Sequence, residues 1–345
     1  MRILSITIRD IAQHAKVSVA TVSRALNHSP SVTEATRMRV YKAAKELGYV
    51  PNSVAKSLKT HHTHTIGFLV SDITNADYIA IARTVEDYVR LENYSLILCS
   101  TGNNQQQELD YLEMLFSKNI DGLILNTTGF NNEFILKMNS KIPMVLLNRS
   151  IPVSMSGFRG DLITTNNYLG SYLLTKHLLE LGHSKIFVVR GPLHLNNSIE
   201  RFQGFVDAMR EVGLFVDDTY PYIYVGDYTC QSGINAVQYM QNFKTLPTAI
   251  LSHCNMHMLG ILKALHHHPT LCASDFSLAT YDDIPNIDLM EATPTIAHFD
   301  TIGIGQQVAS SILAHIKDIS LPFRKYVFDP TIILGNSCMP PRKNN

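Results

Sequence analysis

From residue 66 onward the chain repeats one alternation: a short apolar, β-branched run, then a stretch of helical length. The runs are IGFLV (66–70), LILC (96–99), GLIL (122–125), PMVLL (143–147), KIFVV (185–189), YIYV (222–225), TAIL (248–251) and SLATY (277–281). A strand with one wet face alternates apolar and polar residues. These runs are continuous, so both faces of each strand must be covered. Amphipathic segments such as 78–92, 105–118, 167–181, 199–212 and 256–268 supply the cover. The pattern predicts parallel sheets flanked by helices. Four units and then about four more predict an α/β body of two doubly wound parallel-sheet lobes. Late pieces at 295–299, 302–316 and 325–335 are expected to cross back and complete both. The expected lobes are 65–162 plus 293–322, and 163–292 plus 323–340.

The first sixty residues have another texture. They hold ten Lys/Arg against three Asp/Glu, a net charge of +7, while the remaining residues carry −7. The overall net charge of zero therefore hides a basic head on an acidic body, and a basic head points to a polyanion partner. Ile8, Ile11, Ala12 and Ala15 keep helical spacing, and Val19, Val22 and Leu26 resume it after a break at Lys16 and Val17. A third helix opens at Thr33, with Val40, Ala44 and Leu47 as its inner stripe, and ends at Gly48. The second helix, within VSVATVSRALN (17–27), is built from small and β-branched residues that are poor helix formers. Ser18 is expected to cap it. Helix, short turn, helix is the geometry that lays a second helix in the DNA major groove. Small outward side chains then allow close approach. Thr21 and Ser23 can donate to phosphate, Arg24 can reach a guanine edge or a phosphate, and the methyl groups of Val19 and Ala20 suit a thymine methyl.

TIRDIAQHAKVSVATVSRALN (7–27), followed by YVPNSVAKSL (49–58), resembles the DNA-binding head of the LacI/GalR family of bacterial transcription regulators. The resemblance extends to the body, which fits that family's periplasmic-binding-protein-like core. It implies an all-α helix-turn-helix domain over 1–60 and an effector-binding and dimerisation domain over 61–345. Val19 and Ala20 fall where the family discriminates bases, and Arg24 follows at its usual place. Thr7, Ile8, Thr21, Ser23, Asn27 and Ser31 fall among the usual backbone and flanking contacts, beside the cap Ser18. Segment 52–59 matches the hinge helix that enters the minor groove. There Asn52 opens the segment, Ala55 is small enough for two hinges to meet, and Leu58 stands at the wedge position.

The resemblance also implies residues of a ligand cleft at the carboxyl ends of the strands. Asp72 and Tyr78 follow the first strand, with Asn75 and Asp77 nearby, and Asn148 and Arg149 follow the fourth. Arg201 opens RFQGF, and Asp282 sits in TYDD. Charged groups among hydroxyls suit a polyol, such as a sugar or sugar derivative. One place departs from the family. LSHCNMHMLG puts Cys254 and Asn255 where Asn-Asp is usual, so a carboxylate is lost and a thiol replaces an amide. Arg149 and Arg201 together leave room for a phosphate or carboxylate on the effector.

The remaining features set bounds. Five scattered cysteines without C-x-x-C spacing fit reduced thiols in a cytoplasm. Residues 1–15 lack the apolar core of a secretory signal, and no apolar run approaches the ~18 residues of a spanning helix. The histidines at 61, 62 and 64, and at 266–268, lack a converging ligand set, so no metal or other cofactor is expected. No phosphate-binding, nucleophile-elbow or zinc-protease motif occurs, and an enzyme is not expected. The reading is a cytoplasmic, homodimeric repressor that binds a palindromic operator in double-stranded DNA under the control of a small molecule. A transport binding protein of the same body would need an export signal and no basic head. A regulator of this fold answering to a protein partner is a second alternative.

Overall fold

A computed structural model of the chain describes residues 6–49, 62–151, 157–217 and 219–342. It divides into two compact units, one ending at Thr63 and one beginning at His64.

The first unit holds α1 (Ile8–Ala15), α2 (Val19–Leu26) and α3 (Glu34–Glu46). Ile11, Ala12, Ala15, Val22, Ala25, Val32, Val40, Ala43 and Ala44 form its core; of the stripe expected from the spacing, Ile8, Leu26 and Leu47 are only partly buried and Val19 is exposed, on the opposite side of α2. Lys16 takes a left-handed backbone (φ 53°) and turns the chain from α1 into α2. The Val17 N–H closes that turn on the Ala12 carbonyl at 3.0 Å. Two side-chain contacts tie α3 to the others: Tyr41 Oη donates to the Ala25 carbonyl at 3.2 Å, and His14 Nε2 meets Glu46 Oε2 at 2.9 Å. Segment 52–59, with Asn52, Ala55 and Leu58, lies outside the described residues.

The second unit contains two six-stranded sheets. The first lobe begins β1 (Thr65–Val70), α4 (Ala76–Leu91), β2 (Ser95–Ser100), α5 (Gln105–Ser117), β3 (Gly122–Leu125), α6 (Asn132–Asn139), β4 (Met144–Leu147) and β5 (Gly160–Thr165). The second begins α7 (Asn167–Glu180), β6 (Ile186–Arg190), α8 (Asn196–Glu211), β7 (Ile223–Val225), α9 (Cys230–Met240), β8 (Ala249–Ser252), α10 (Asn255–His266), β9 (Ser277–Tyr281) and β10 (Thr295–His298). The chain then returns through α11 (Thr301–Lys317) and β11 (Lys325–Phe328) to the first lobe, and ends its sheets with β12 (Thr331–Ile333) in the second.

The strand orders are β11-β5-β4-β3-β1-β2 and β12-β10-β9-β8-β6-β7. Every pairing is parallel except β12 on β10. The central strands are buried on both faces: GLIL and MVLL are wholly inaccessible. Each sheet reverses its winding direction once, between β1 and β3 and between β6 and β8. Loops at the carboxyl ends diverge at such points and leave a crevice.

Two expectations need correction. The expected boundaries put strand 295–298 in the first lobe and 325–328 in the second, and the sheets place them the other way. β10 extends the edge of β9, with Thr295 opposite Ala279. β11 extends the edge of β5, with Lys325 opposite Leu162. Parallel neighbours need a covering crossover, which α11 provides by packing on β3, β4, β5 and α4. Region 325–335 is two strands in two lobes, split at Asp329 and Pro330. Strand β5 itself carries no apolar run. Its GDLITT sequence buries Asp161, which is satisfied from elsewhere: Ser311 Oγ donates to it, the Arg324 N–H donates at 2.9 Å, and His315 Nε2 lies at 3.2 Å.

The chain thus passes between lobes three times, near Asn166, Phe299–Asp300 and Asp329–Pro330. The first and third passes are bonded side by side. The Asn166 N–H donates to the Phe328 carbonyl at 2.7 Å, and its Nδ2 donates to Asp329 Oδ1 at 2.8 Å.

Candidate functional site

In the head, α2 is fixed at its start by Ser18, whose Oγ accepts the Thr21 N–H at 3.1 Å. Val22 and Ala25 face the core. The opposite side leaves Val19, Ala20, Arg24 and Asn27 exposed and Thr21 and Ser23 partly so. Arg24 forms no ion pair among the described residues, which leaves its guanidinium available. Thr7, Ile8 and Ser31 are exposed or partly exposed on flanking segments. The short polar residues are pre-set by local bonds. Thr7 donates its N–H and hydroxyl to Asp10 Oδ2 at 2.7 and 2.8 Å, Thr21 Oγ1 pairs with Ser18 Oγ at 2.8 Å, and Ser31 Oγ pairs with Ser29 Oγ at 2.8 Å. The Thr7 contacts hold the Asp10 carboxyl below its usual range.

In the body, one cavity lies where the carboxyl ends of both sheets face each other. Its lining includes Asp72, Asp77, Tyr78, Asn148, Arg149, Arg201, Cys254 and Asp282. Nine of the ten cleft residues named from the sequence, Asn75 among them, therefore meet there. The tenth, Asn255, lies beside it in the seam between lobes, exchanging amide bonds with Asn75 at 3.2 Å in both directions. Two further seam contacts close the same gap: His194 Nε2 on the Thr128 carbonyl at 3.0 Å, and the Ser150 N–H on Asn196 Oδ1 at 2.9 Å. The enclosed space is about 40 Å³. Pockets that bury a small molecule run roughly 300–1,000 Å³, so the lobes stand closer here than in a cleft that holds one.

Arg201 is the anchor. It is 3% exposed, and its charge is met within the protein, which corrects the expectation that it joins Arg149 in leaving room for an effector anion. Nε donates to Asn167 Oδ1 at 2.9 Å, Nη1 donates to the His253 carbonyl, and Nη1 lies 3.7 Å from Asp282 Oδ2. Its guanidinium lies 3.5 Å from the centre of the Tyr281 ring and 5.8 Å from that of Tyr228. Burial alone would lower its pKa; Asp282 and the two phenols outweigh that and hold it above the ordinary value. Both rings need glycine neighbours. A Cβ on Gly170 would stand 2.5 Å from the Tyr281 ring, and one on Gly191 would stand 2.2 Å from Tyr228.

The carboxyls split in role. Burial, countered by Arg201 and assisted by Asp283, pushes Asp282 up to about 6. Asp282 also holds a left-handed backbone (φ 73°), a strained conformation for a non-glycine residue at a site. Asp77 comes from the other lobe. Burial, then the charges of Asp282 and Asp283, push it up to about 8. A carboxyl raised from 3.8 to about 8 favours the folded, closed body while protonated. That contribution is complete below the unfolded value and is lost as pH rises through the folded one. Asp77→Asn is therefore expected to flatten the fall in melting temperature between pH 5 and 9. A melting series in which wild type and variant run parallel refutes the assignment.

Cys254 is buried and its thiol is pushed up to about 12 by burial. It serves as the cap of α10, accepting the His257 N–H at 3.3 Å, which is a packing role and not a nucleophile's. His268 is engaged in its own turn, its Nδ1 accepting the Thr270 and Leu271 N–H groups at 3.2 and 3.0 Å. Among the described residues no group of three or more His, Cys, Asp or Glu side chains could hold a metal ion. No helix among them is long and apolar enough to cross a membrane. Sequence reasoning missed Tyr228 and Asn197 as cavity residues. Tyr228 follows a three-residue strand, and Asn197 precedes RFQGF by one turn, which was the available signal.

Comparison with known proteins extends these findings. Residues 7–52 match the family model described as bacterial regulatory proteins, lacI family. Residues 63–323 match the model for periplasmic binding proteins and the sugar binding domain of the LacI family. The chain is 32% identical over 333 residues to the HTH-type transcriptional repressor PurR of Vibrio vulnificus (strain CMCP6), covering 96% of this chain and 98% of that one. Its fold is similar to the lac repressor dimer bound to operator and the anti-inducer ONPF, with TM-score 0.80, 22% identity, and 97% and 99% of the two chains covered. It is also similar to the transcriptional regulator CelR–cellobiose complex, with TM-score 0.70, 23% identity, and coverage of 96% and 99%.

Proposed function

The chain belongs to the lacI family of bacterial regulatory proteins, and from that premise we propose that α2 enters the major groove of operator DNA while the body's cleft takes a small polar effector. The protein is a ligand-responsive, DNA-binding transcriptional regulator. The observation that carries the DNA reading is the division of α2. Its Val22–Ala25 side is locked into the head's core, and its opposite side presents Val19, Ala20, Ser23, Arg24 and Asn27 on a domain of net charge +7. Phosphate contacts from Thr7, Thr21, Ser23 and Ser31 position the head, and Arg24 with the methyl groups of Val19 and Ala20 reads bases. Two copies read a palindromic site, each head taking one half.

Arg24→Ala is expected to lower preference for the selected site by roughly 1–3 kcal/mol, with non-specific binding nearly retained. Selection from a random duplex library, followed by titration of wild type and variant on the selected and scrambled sites, measures it. Equal discrimination by both proteins removes Arg24 from base reading.

The effector we infer is a sugar or related polyhydroxy compound, held by Asp72, Asn148, Arg201, Asp282 and their neighbours. The cleft's supply of buried carboxyl, amide and guanidinium groups supports this reading. Ligand binding at a seam changes the balance between open and closed lobes, and the effect on DNA equals the difference in effector affinity between the two states.

A further inference from the structure

Arg149 differs from Arg201 in one respect that bears on the ligand. It is 1% exposed, it lines the same cavity, and among the described residues it has no carboxylate partner. Nη1 donates to the Thr127 carbonyl at 2.9 Å, and Nη2 donates to the amide oxygen of Asn103 at 3.0 Å. Both acceptors are neutral. Nε has no hydrogen-bond partner. A buried charge without a counter-ion is costly, and proteins seldom keep one unless something else completes it.

The rest of that corner has the same sign. The 16-residue helix α8 begins at the cavity, where Asn197 of its first turn is part of the lining. Its N-cap Leu195 offers no side-chain acceptor. The Ser198 N–H is taken by Asn197 Oδ1 at 3.0 Å, and the helix start keeps the partial positive charge of its dipole. The Tyr228 ring lies 5.7 Å from the Arg149 guanidinium, adding a phenol to the same wall. Among the described residues no carboxylate is ion-paired with Arg149. Asp282 is committed to Arg201. Asp72 Oδ1 accepts the N–H and hydroxyl of Thr74 at 2.8 and 2.7 Å. Burial and the charges of Asp282 and Asp283 push Asp77 up to about 8, which weakens its negative charge near neutral pH.

We propose that the effector of this cleft bears an oxyanion, a carboxylate or a phosphate monoester, seated between Arg149 and the first turn of α8. This rests on the reading of the cleft as an effector site and narrows its ligand from neutral polyols to acidic ones. The hydroxyl-matching groups around Asp282 and Asn148 take the neutral part, and Arg149 selects the charged end.

The test uses the full chain and matched probes at constant ionic strength: glucose, glucuronate, glucose 6-phosphate, and inorganic phosphate against chloride. Thermal shift and calorimetric titration are read for wild type, Arg149→Gln and the isosteric Asn197→Asp, which places a repelling charge at the helix start. At least one anion is expected to stabilise wild type where chloride and glucose do not. Both variants should weaken that anion by at least about tenfold, the worth of a charge-assisted hydrogen bond. Glucuronate and glucose 6-phosphate separate carboxylate from phosphate. If Arg149→Gln fails to fold, Asn197→Asp carries the comparison. Binding of neutral glucose as tightly as its acidic partners overturns the proposal and leaves the effector reading standing. Anion binding untouched by either variant also overturns it. No binding by any probe overturns it together with the effector reading, while site-specific DNA binding, scored separately by gel shift, remains unaffected.

Discussion

Arg201→Ala is expected to lower the stability of the body by about 3–5 kcal/mol, the usual cost of removing one partner of a buried pair. The geometry says where that loss arises. The tightest bonds of Arg201 run to the neutral acceptors Asn167 and the His253 carbonyl, and the contact with Asp282 is longer, at 3.7 Å. Removing the guanidinium leaves the His253 carbonyl and Asp282 without their partner, leaves Asn167 Oδ1 only the long 3.4 Å bond from Thr165 Oγ1, and empties the face of the Tyr281 ring. Asp282 then escapes by taking a proton. Because it already sits at about 6 with Arg201 in place, the destabilisation should be smaller at pH 5 than at pH 8. Chemical unfolding at both pH values measures this, and Asp282→Asn in the same background should recover part of the loss at pH 8. A variant as stable as wild type at pH 8 would show that Arg201 anchors nothing.

Val22→Asp should act on the other unit alone. Val22 is fully buried in the head's small core with Ile11, Ala25 and Val40. A domain of this size has little stability in reserve, and a buried unpaired carboxylate costs more than such a core supplies. The head should melt and site-specific DNA binding disappear. The body, a separate compact unit, should keep its melting transition and its ligand response. Scanning calorimetry with a parallel gel shift distinguishes the outcomes. Retained operator binding would mean that Val22 does not face the core and that the DNA-facing side of α2 has been assigned wrongly.

The head was legible because local chemistry settled it. Ser18 before a run of small residues, a helical stripe at Ile11, Ala15 and Val22, and a glycine after Leu47 each imply a boundary without distant partners. The strands with continuous apolar runs were legible for a similar reason, since such runs require cover on both faces. β5 was not. Asp161 and its threonines form no apolar run, and the partners that let them be buried, Ser311, His315 and the Arg324 N–H, arrive from residues 150 or more positions later. Lobe membership of the last strands was hidden for the same reason. β11 and β10 each complete whichever edge lies open, and edges are a property of the assembled sheet. In the cleft, residues following the buried central strands β1, β4, β8 and β9 were found, and Tyr228, behind the three-residue, partly exposed edge strand β7, was not.

The three passes of chain between the lobes have a mechanical consequence. Three short ligaments, two of them stitched together at Asn166 and Asp329, tie the lobes at one end and leave the jaws free to swing about it. A molecule wedged between the jaws then acts on that swing. Its identity is converted into an angle, and many chemically different triggers could drive the same stroke.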